Sequence, residues 1–325
     1  MWGSLMTNEN LRLGIIGLGI MGERLMRAAL AHGATDVVAV WDPSADALTR
    51  LASIAPALAM AANAEAVIAA SEAVYVASPP SSHIAHGQAV LSAGRALFLE
   101  KPLASDLNAA RAFVASAKGQ RAAVNFPMAS SPAIAQLREW LPGIGNIRRI
   151  DITAAFATWP RGWQAGAASW LSLRAEGGFT REVVSHFLFL AQRLVGPLTL
   201  HEARTTYPPG TGSELAIAAQ LNAGTVPVTI SGGVGTTLAD DHNIIRIQGA
   251  QAAIRLRDWS FAERLSPDGT WHPAHDALPN ERMRPMTLAC QLDKVATLTR
   301  GDQVDLATLE EALAIQEIVE AILTA

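Results

Sequence analysis

The feature that most constrains this chain is a glycine-rich stretch near its start, LGIIGLGIMGERLM. Gly17, Gly19 and Gly22 form the pattern G-x-G-x-x-G, after an apolar run at 12–16 and before a helical pattern over 20–31. In this context the first glycine permits a tight strand-to-helix turn, the second lets a pyrophosphate approach the backbone, and the third lets helix and strand pack closely. The stretch therefore predicts a dinucleotide site with phosphates at the helix N-terminus. A glycine turn without a ligand is the alternative.

An acidic residue follows the next predicted strand, residues 37–41. Asp42 lies where a carboxylate would bind the ribose hydroxyls of adenosine, and its charge would repel a 2′-phosphate. NAD is therefore favoured as cofactor over NADP, which stays possible. Because DPSAD also reads as a helix start, capping by Asp42 is the other interpretation. Arg50 is expected on the outer face of the following helix, and Ile20 and Met21 are expected beside the cofactor.

Strand and helix patterns alternate with short links through the first 125 residues. Apolar strands are predicted at 12–16, 37–41, 57–60, 73–77, 96–100 and 121–126, with helices over 20–31, 43–54, 63–71, 82–94 and 105–119. Continuously apolar strands are typical of a parallel sheet covered on both faces. The prediction is an α/β chain with an N-terminal Rossmann domain, a doubly wound parallel sheet, over residues 1–125.

The alternation ends after residue 125, and longer strands follow one helix at 132–141. Alternating patterns at 147–158, 198–207, 214–234 and 243–258 indicate antiparallel hairpins. They predict a second, α+β domain over 126–325, built on an open, mostly antiparallel sheet for substrate binding and oligomerisation. The last predicted element is an amphipathic helix over about 304–324. Without a linker, the two domains are expected to pack around a cleft.

Composition excludes several classes of protein. A length of 325 residues suggests two domains, and 25 basic against 29 acidic residues argue against a nucleic-acid partner. The apolar runs are too short for a membrane helix, and MWGSLMTNEN is a loose lead-in without the layout of a secretory signal. The single cysteine, Cys290, is expected to be a small core residue. We expect a cytoplasmic protein with no metal site.

A second motif, FLEKPLASD, leaves the predicted strand at 96–100. Glu100 and Lys101 end that strand, and Pro102 restricts the turn. Because the carboxyl ends of strands in such sheets face the ligand crevice, Lys101 is expected to point at cofactor and substrate. From the residues alone, a surface ion pair before a turn is the alternative.

The Glu-Lys-Pro turn, together with the glycine motif, resembles the Gfo/Idh/MocA family of NAD(P)-dependent oxidoreductases. Upstream, SPPSSH is similar to the family pattern of a small residue, a proline, polar residues and a histidine. The resemblance extends over nearly the whole chain. It implies a small-molecule substrate among sugars, polyols and their relatives, and a homodimer or homotetramer. It assigns cofactor contacts to Ser78, Pro79, His83, Glu100 and Lys101.

The resemblance also assigns catalytic positions in EGGFTREVVSHFLF. Glu182 stands at the family's Asp position and His186 at its His position. Their i, i+4 spacing places both on one helical face. A histidine near neutral pKa can take or give the proton while Lys101 stabilises charge on the substrate oxygen. A structural histidine is the alternative for His186.

Departures from the family pattern affect substrate contacts. The family often carries arginine pairs where this chain has Ala129. The candidates for substrate binding are Asn125, Arg181 and Trp163. Arg181 either replaces the missing cation or pairs with Glu182, and the tryptophans line either a sugar-stacking wall or a packing interface.

The resemblance implies hydride transfer between nicotinamide and a carbinol or carbonyl carbon. Two alternatives from other classes stay open. One is an NAD-binding sensor or regulator without turnover, and the other is an NAD-assisted glycoside hydrolase.

Overall fold

The computed structural model describes residues 10–325, and the chain divides into two compact units. The first unit runs to Asn125 and also includes Leu288–Leu309. The second comprises Phe126–Thr287 and Glu310–Ala325. A late segment of the chain thus belongs with the first unit, whereas the sequence-based division assigned everything after residue 125 to the second domain. Nearly all of the predicted N-terminal lead-in lies outside the described residues.

The first unit is a doubly wound parallel sheet, as predicted. Its strands within residues 10–325 have the order β2-β1-β3-β4-β5 and pair in parallel. The strands are β1 Leu11–Ile16, β2 Thr35–Trp41, β3 Ala73–Val76, β4 Ala96–Leu99 and β5 Ala122–Val124, and the helices are α1 Ile20–Leu30, α2 Ala45–Ile54, α3 Ala64–Ala70, α4 Pro80–Ser92 and α5 Leu107–Ser116. Every residue of β3 and β4 is buried, which explains their unbroken apolar sequences.

One predicted strand of this unit is wrong. Residues 57–60 form an isolated bridge between Val40 and Met60 instead of a strand. Met60 is half-exposed on its side chain, so this segment lacks the two-sided burial that supports the other strands. It lies at the edge of the sheet beside β2.

The second unit is built on a mostly antiparallel sheet, also as predicted. Among the described residues its strands have the order β13-β12-β11-β10-β6-β9-β8-β7, with β6 and β9 parallel. They are β6 Ile147–Phe156, β7 Leu198–Thr206, β8 Ala216–Ala223, β9 Val226–Val234, β10 Asp241–Gly249, β11 Ala253–Arg257, β12 Phe261–Leu265 and β13 Trp271–Pro273. The helices are α6 Pro132–Trp140, α7 Ala168–Leu171 and α8 Ser185–Val195. Burial alternates along β10, so one face of that strand packs against the core.

Two helices complete the chain, α9 Asn280–Arg300 and α10 Leu309–Leu323. The sequence reading missed α9, although Leu288, Leu292 and Val295 recur at helical spacing and are buried. It also began the last helix about five residues too early. Ala307 pairs instead with Val124 at the end of β5, where its carbonyl oxygen accepts a hydrogen bond of 2.8 Å.

Cys290 lies on α9 and is half-buried, so it is less enclosed than the predicted core residue. None of the helices within residues 10–325 combines the length and apolar character that crossing a lipid bilayer requires. In the same part of the chain, no three or more His, Cys, Asp or Glu side chains are grouped to hold a metal ion.

Candidate active site

Two glycines of the turn between β1 and α1 are required by the protein's own packing. Gly17 has φ +94°, and a Cβ there would lie 2.5 Å from the backbone nitrogen of Ser78. A Cβ on Gly22 would lie 1.9 Å from the carbonyl oxygen of Gly17. Both residues therefore let the helix, the turn and the end of β3 approach each other, which agrees with the roles predicted for the first and third glycines.

The middle glycine, Gly19, is not required by packing within the protein. A Cβ on Gly19 would meet nothing within 4 Å, and its φ of −69° suits any residue. Gly19 is the N-cap of α1, and no side chain caps the helix there. The first N–H groups of a helix lack intrahelical partners and carry its partial positive charge. With Ile20 and Met21 half-buried beside it, this open helix end fits the phosphates of a dinucleotide.

Asp42 connects the glycine turn to the next helix. Its Oδ2 accepts a hydrogen bond from the Leu18 N–H at 2.7 Å, and its Oδ1 accepts one from the Ser44 N–H at 2.8 Å. Ser44, not Asp42, caps α2, so the capping interpretation of Asp42 is wrong. The carboxylate is half-buried at the end of β2, and each oxygen keeps acceptor capacity for a ribose hydroxyl.

Arg50 lies closer to this turn than the sequence suggested. Although it belongs to α2, its Nη2 donates to the Leu18 carbonyl oxygen at 2.9 Å. Its Nε pairs with Glu23 on α1 at 3.2 Å. The guanidinium thus ties α2 to the glycine turn, and its charge is shared with Glu23.

The Glu-Lys-Pro turn stands on a buried hydrogen-bond network. The Glu100 carboxylate accepts hydrogen bonds from the Tyr75 hydroxyl and, at 2.6 Å, from the Asn125 side-chain amide. Gln291 of α9 donates to the Asn125 Oδ1 at 2.6 Å. Burial, and then the nearby charge of Glu100, raise the pKa of Tyr75 well above its ordinary value, so the hydroxyl keeps its proton. Lys101 follows this anchor, half-buried, with a cis peptide bond to Pro102.

This network engages two residues for which ligand contacts were predicted. Asn125 is 1% exposed, and its amide is engaged by neighbouring side chains, so it supports the turn from below instead of binding substrate. Glu100 is likewise buried, and one oxygen of its carboxylate accepts from both Tyr75 and Asn125. Tyr75 and Gln291 were missed. The lone hydroxyl within the apolar strand AVYV was the signal for Tyr75.

His83 is also internal, which corrects its assignment as a cofactor contact. It is 1% exposed and lies between the carbonyl oxygens of Ser78 and Pro102, at 2.7 and 2.8 Å from Nε2 and Nδ1. Two carbonyl partners favour the imidazolium, but burial has the larger effect and lowers the pKa of His83. His83 therefore joins the turn at Ser78 and Pro79 to the Glu-Lys-Pro turn. Ser78 is half-buried and Pro79 is exposed at the start of α4.

In the second unit, Glu182 and His186 lie on one continuous helical segment. Residues 180–184 form a π-helical turn that leads directly into α8, so Glu182 lies in the wider turn and His186 in the α-helix. Single π turns occur often at functional sites. His186 is 7% exposed, and its ring lies edge-on to Phe126 and Trp259, with centroids 5.3 and 5.5 Å apart. Glu182 is half-buried.

A buried carboxylate that the sequence reading missed supports this segment. Glu214 is 1% exposed and accepts a hydrogen bond from the Thr180 N–H at 2.7 Å. Gly178, at φ +101°, leaves it room, because a Cβ there would lie 2.1 Å from the Glu214 Oε2. Burial raises the pKa of Glu214. Sequence spacing gave no signal for this contact, since Glu214 precedes a separate strand.

Arg181 has a structural role, which corrects both sequence-based alternatives. Its Nε and Nη2 pair with both carboxylate oxygens of Glu320 on α10, at 2.6 and 2.7 Å. Its Nη1 donates to the carbonyl oxygens of Arg174 and Gly177. A bidentate pair with two further carbonyl partners holds this guanidinium in place. We therefore assign Arg181 to the support of α8.

The tryptophans divide into two kinds. Trp159 packs against Phe156 and Phe179, and its Nε1 donates to the Leu171 carbonyl oxygen at 3.0 Å, so packing explains it. Trp163 is 43% exposed, and the guanidinium of Arg161 lies 4.7 Å from its ring centroid. Of the predicted substrate contacts, Trp163 is thus the one whose ring is open to solvent.

Comparison with known proteins agrees with this geometry. Residues 11–126 match the profile of the oxidoreductase family with an NAD-binding Rossmann fold, GFO_IDH_MocA. Comparison with curated protein sequences gives no match.

Solved structures are similar over nearly the full length of the chain. An oxidoreductase from Agrobacterium radiobacter in complex with NAD+, L-tartaric acid and magnesium has a TM-score of 0.81 at 19% identity, covering 96% of this chain and 95% of that one. Apo scyllo-inositol dehydrogenase from Lactobacillus casei has a TM-score of 0.78 at 18% identity, covering 98% and 96%. A UDP-N-acetylglucosamine 3-dehydrogenase from Acidithiobacillus ferrooxidans has a TM-score of 0.77 at 16% identity, covering 97% of each. These likenesses establish the fold.

The parallel sheet, the open helix end at Gly19 and the carboxylate after β2 define a dinucleotide-binding domain of the Rossmann class. Within that class, residues 11–126 match the NAD-binding domain of the Gfo/Idh/MocA oxidoreductase family.

Proposed function

We propose that the protein is an NAD-dependent dehydrogenase that acts on a CH–OH group of a sugar, polyol or related small molecule. One observation carries the proposal. Gly17 and Gly22 are demanded by packing, whereas Gly19 leaves open space at the uncapped end of α1, where a phosphate would bind. The solved structures support the substrate class, since they include an inositol dehydrogenase and a nucleotide-sugar dehydrogenase.

Asp42 favours NAD over NADP in this proposal. Its carboxylate stands at the end of β2, where the ribose of the adenosine would lie, and a 2′-phosphate there would meet a negative charge. The nearby guanidinium of Arg50 is shared with Glu23 and the Leu18 carbonyl oxygen.

Lys101 and His186 supply the acid–base groups in the proposal. When bound, NAD would supply the acceptor for the hydride that leaves the carbinol carbon as the alcohol becomes a carbonyl. The Lys101 ammonium donates a hydrogen bond to the substrate oxygen and stabilises charge on it. The His186 imidazole accepts the hydroxyl proton, with Glu182 on the same segment as a second acidic group.

The first test measures reduced-nicotinamide absorbance with purified protein. NAD and NADP are offered separately, each with a panel of sugars, inositols, sugar acids and aldehydes. We expect NADH formation with one substrate class. We expect Lys101→Ala to lower kcat about 100-fold or more, and His186→Asn about 100-fold.

Matched controls keep this test specific. Lys118→Ala and His201→Asn remove an exposed lysine and an exposed histidine. Both should retain wild-type rates. NAD binding without redox exchange for any member of the panel would contradict the dehydrogenase and favour a sensor. Sugar release from glycosides without net NADH would favour the hydrolase.

We also propose a cytoplasmic homodimer or homotetramer. The β9 strand of the second unit alternates between buried and exposed residues, and Thr229 and Ser231 lie on its uncovered side. Light scattering coupled to size-exclusion chromatography tests this point, and a monomer at micromolar concentration would refute it.

A further inference from the structure

The second unit contains a buried arginine that does not use all of its hydrogen-bond donors. Arg161 is 7% exposed and follows β6. Its Nε donates to the Gln164 Oε1 at 3.0 Å, and its Nη1 pairs with the Asp241 Oδ2 at 2.5 Å. Within residues 10–325, no hydrogen bond is formed by its Nη2. The guanidinium thus has donor capacity left at Nη2.

A second arginine, Arg284, forms no ion pair among the described residues, although the charge of Arg161 acts on it. Arg284, in the second turn of α9, is half-buried and makes no hydrogen bond or ion pair with any residue in the described part of the chain. The charges of Arg161, Glu281 and Asp241 act on it. Burial, and then repulsion by Arg161, lower the pKa of Arg284. Asp241 therefore forms an ion pair with Arg161, and its charge also acts on Arg284.

This arginine pair is linked to the proposed proton-transfer group through two side chains. His186 contacts the edge of Trp259, and the Trp259 Nε1 donates to the Asp241 Oδ2 at 3.3 Å. Asp241 in turn pairs with Arg161. On the other side, the exposed ring of Trp163 lies against the Arg161 guanidinium. A substrate at His186 would thus have two cations and a flat apolar surface near its far end.

Like charges held together and partly withdrawn from water are unfavourable, and a bound anion relieves the repulsion. Guanidinium groups match carboxylate and phosphate oxygens through parallel N–H donors. An anionic group could accept from the unused Arg161 donor and meet the Arg284 charge, whereas a neutral sugar carries no charge to do so. The arrangement also supplies positive charge in a chain that lacks the arginines expected near Ala129.

We propose that Arg161 and Arg284 bind an anionic group of the substrate, so that the enzyme acts on a sugar acid or a sugar phosphate. This inference rests on the proposed function for the reacting end of the molecule, at His186. The anion-binding pair itself does not depend on turnover.

The test compares matched neutral and anionic substrates. D-glucose is paired with D-glucuronate and with glucose 6-phosphate, and D-galactose with D-galacturonate, each with NAD. For the wild type we expect kcat/KM at least tenfold higher for an anionic member than for its neutral parent. A uronate preference identifies a carboxylate, and a sugar-phosphate preference identifies a phosphate.

Arg284→Gln should lower that anionic-to-neutral ratio at least tenfold, mainly through KM for the anion. Arg284→Lys, which keeps the charge, should restore part of the ratio. Arg282→Gln is the matched control. Arg282 is exposed and lies two residues before Arg284 on α9, and the substitution removes the same positive charge. An equal loss in Arg282→Gln, or a wild type that prefers neutral sugars, overturns the inference.

A binding measurement separates this inference from the proposed function. Thermal stabilisation is recorded with L-tartrate or D-glucuronate, against D-glucose at matched ionic strength. Stabilisation of the wild type but not of Arg284→Gln, without turnover of any substrate, supports the anion site and rejects the dehydrogenase. Turnover of neutral polyols without an anion preference or anion stabilisation supports the dehydrogenase and rejects the anion site.

Discussion

The two tyrosines of the chain should differ in what their hydroxyl groups contribute to stability. Tyr75 is fully buried and donates to the Glu100 carboxylate, whereas Tyr207 is half-buried and donates to the neutral Leu323 carbonyl oxygen at 2.7 Å. Hydrogen bonds to charged groups contribute about 1.5–3 kcal/mol, and those between neutral groups about 1 kcal/mol. Tyr75→Phe should therefore lower the free energy of unfolding by about 2 kcal/mol, and Tyr207→Phe by about 1 kcal/mol.

The Tyr75 contribution should also depend on pH. Its pKa is raised well above the ordinary value, because burial and the Glu100 charge disfavour the tyrosinate. The folded state then holds this proton more tightly than the unfolded state. The associated stability is complete below the unfolded pKa of about 10 and is lost as the pH rises toward the folded value. Tyr75→Phe should remove this part of the alkaline destabilisation.

Urea unfolding of the wild type and both variants, near neutral pH and above pH 10, measures these effects. Tyr207→Phe is the matched control because it removes the same atom. Equal costs for the two substitutions would refute the argument that a charged acceptor strengthens the Tyr75 hydrogen bond. An unchanged alkaline slope in Tyr75→Phe would refute the linkage argument.

Two further predictions concern the cofactor turn. Gly22→Ala should destabilise the fold by about 2–3 kcal/mol, because its Cβ would meet the Gly17 carbonyl oxygen. Gly19→Ala should leave urea unfolding unchanged yet weaken NAD about tenfold, about 1.4 kcal/mol by calorimetry, and normal affinity would argue against phosphates at that position. His83 has a lowered pKa, so its stability contribution is present above about pH 6.5 and is lost as the pH falls through the folded value. His83→Leu should flatten the stability profile between pH 7 and pH 5, and an unchanged acid slope would contradict this.

Local patterns determined the strands of the parallel sheet in the first unit, although they missed its late segment Leu288–Leu309. The predicted strands at 12–16, 37–41, 73–77 and 96–100 lie within one or two residues of β1 to β4. Strands that are buried on both faces must be continuously apolar, so their sequences reveal them. The glycine pattern was also predictable from the sequence, because the turn itself leaves no room for a Cβ at Gly17 or Gly22.

Contacts between distant segments could not be read in this way. Nothing adjacent to Asn125 predicted that Gln291, 166 residues later, would engage its amide. Arg181 likewise pairs with Glu320 across 139 residues, where sequence proximity had suggested Glu182. Such partners depend on how helices such as α9 and α10 are placed by packing, and spacing along the chain carries no record of it.

By itself, the sequence determined the class of fold, the dinucleotide turn and the Glu-Lys-Pro motif, because each depends on residues within a few positions of one another. Only the tertiary structure decided which polar side chains are structural and which are left for a ligand. Asn125 and His83 are internal supports, while Arg161 pairs with Asp241 and the charges of both act on Arg284. The physical reason is that burial and charge pairing are properties of the packed chain, and a residue's type alone does not specify its neighbours.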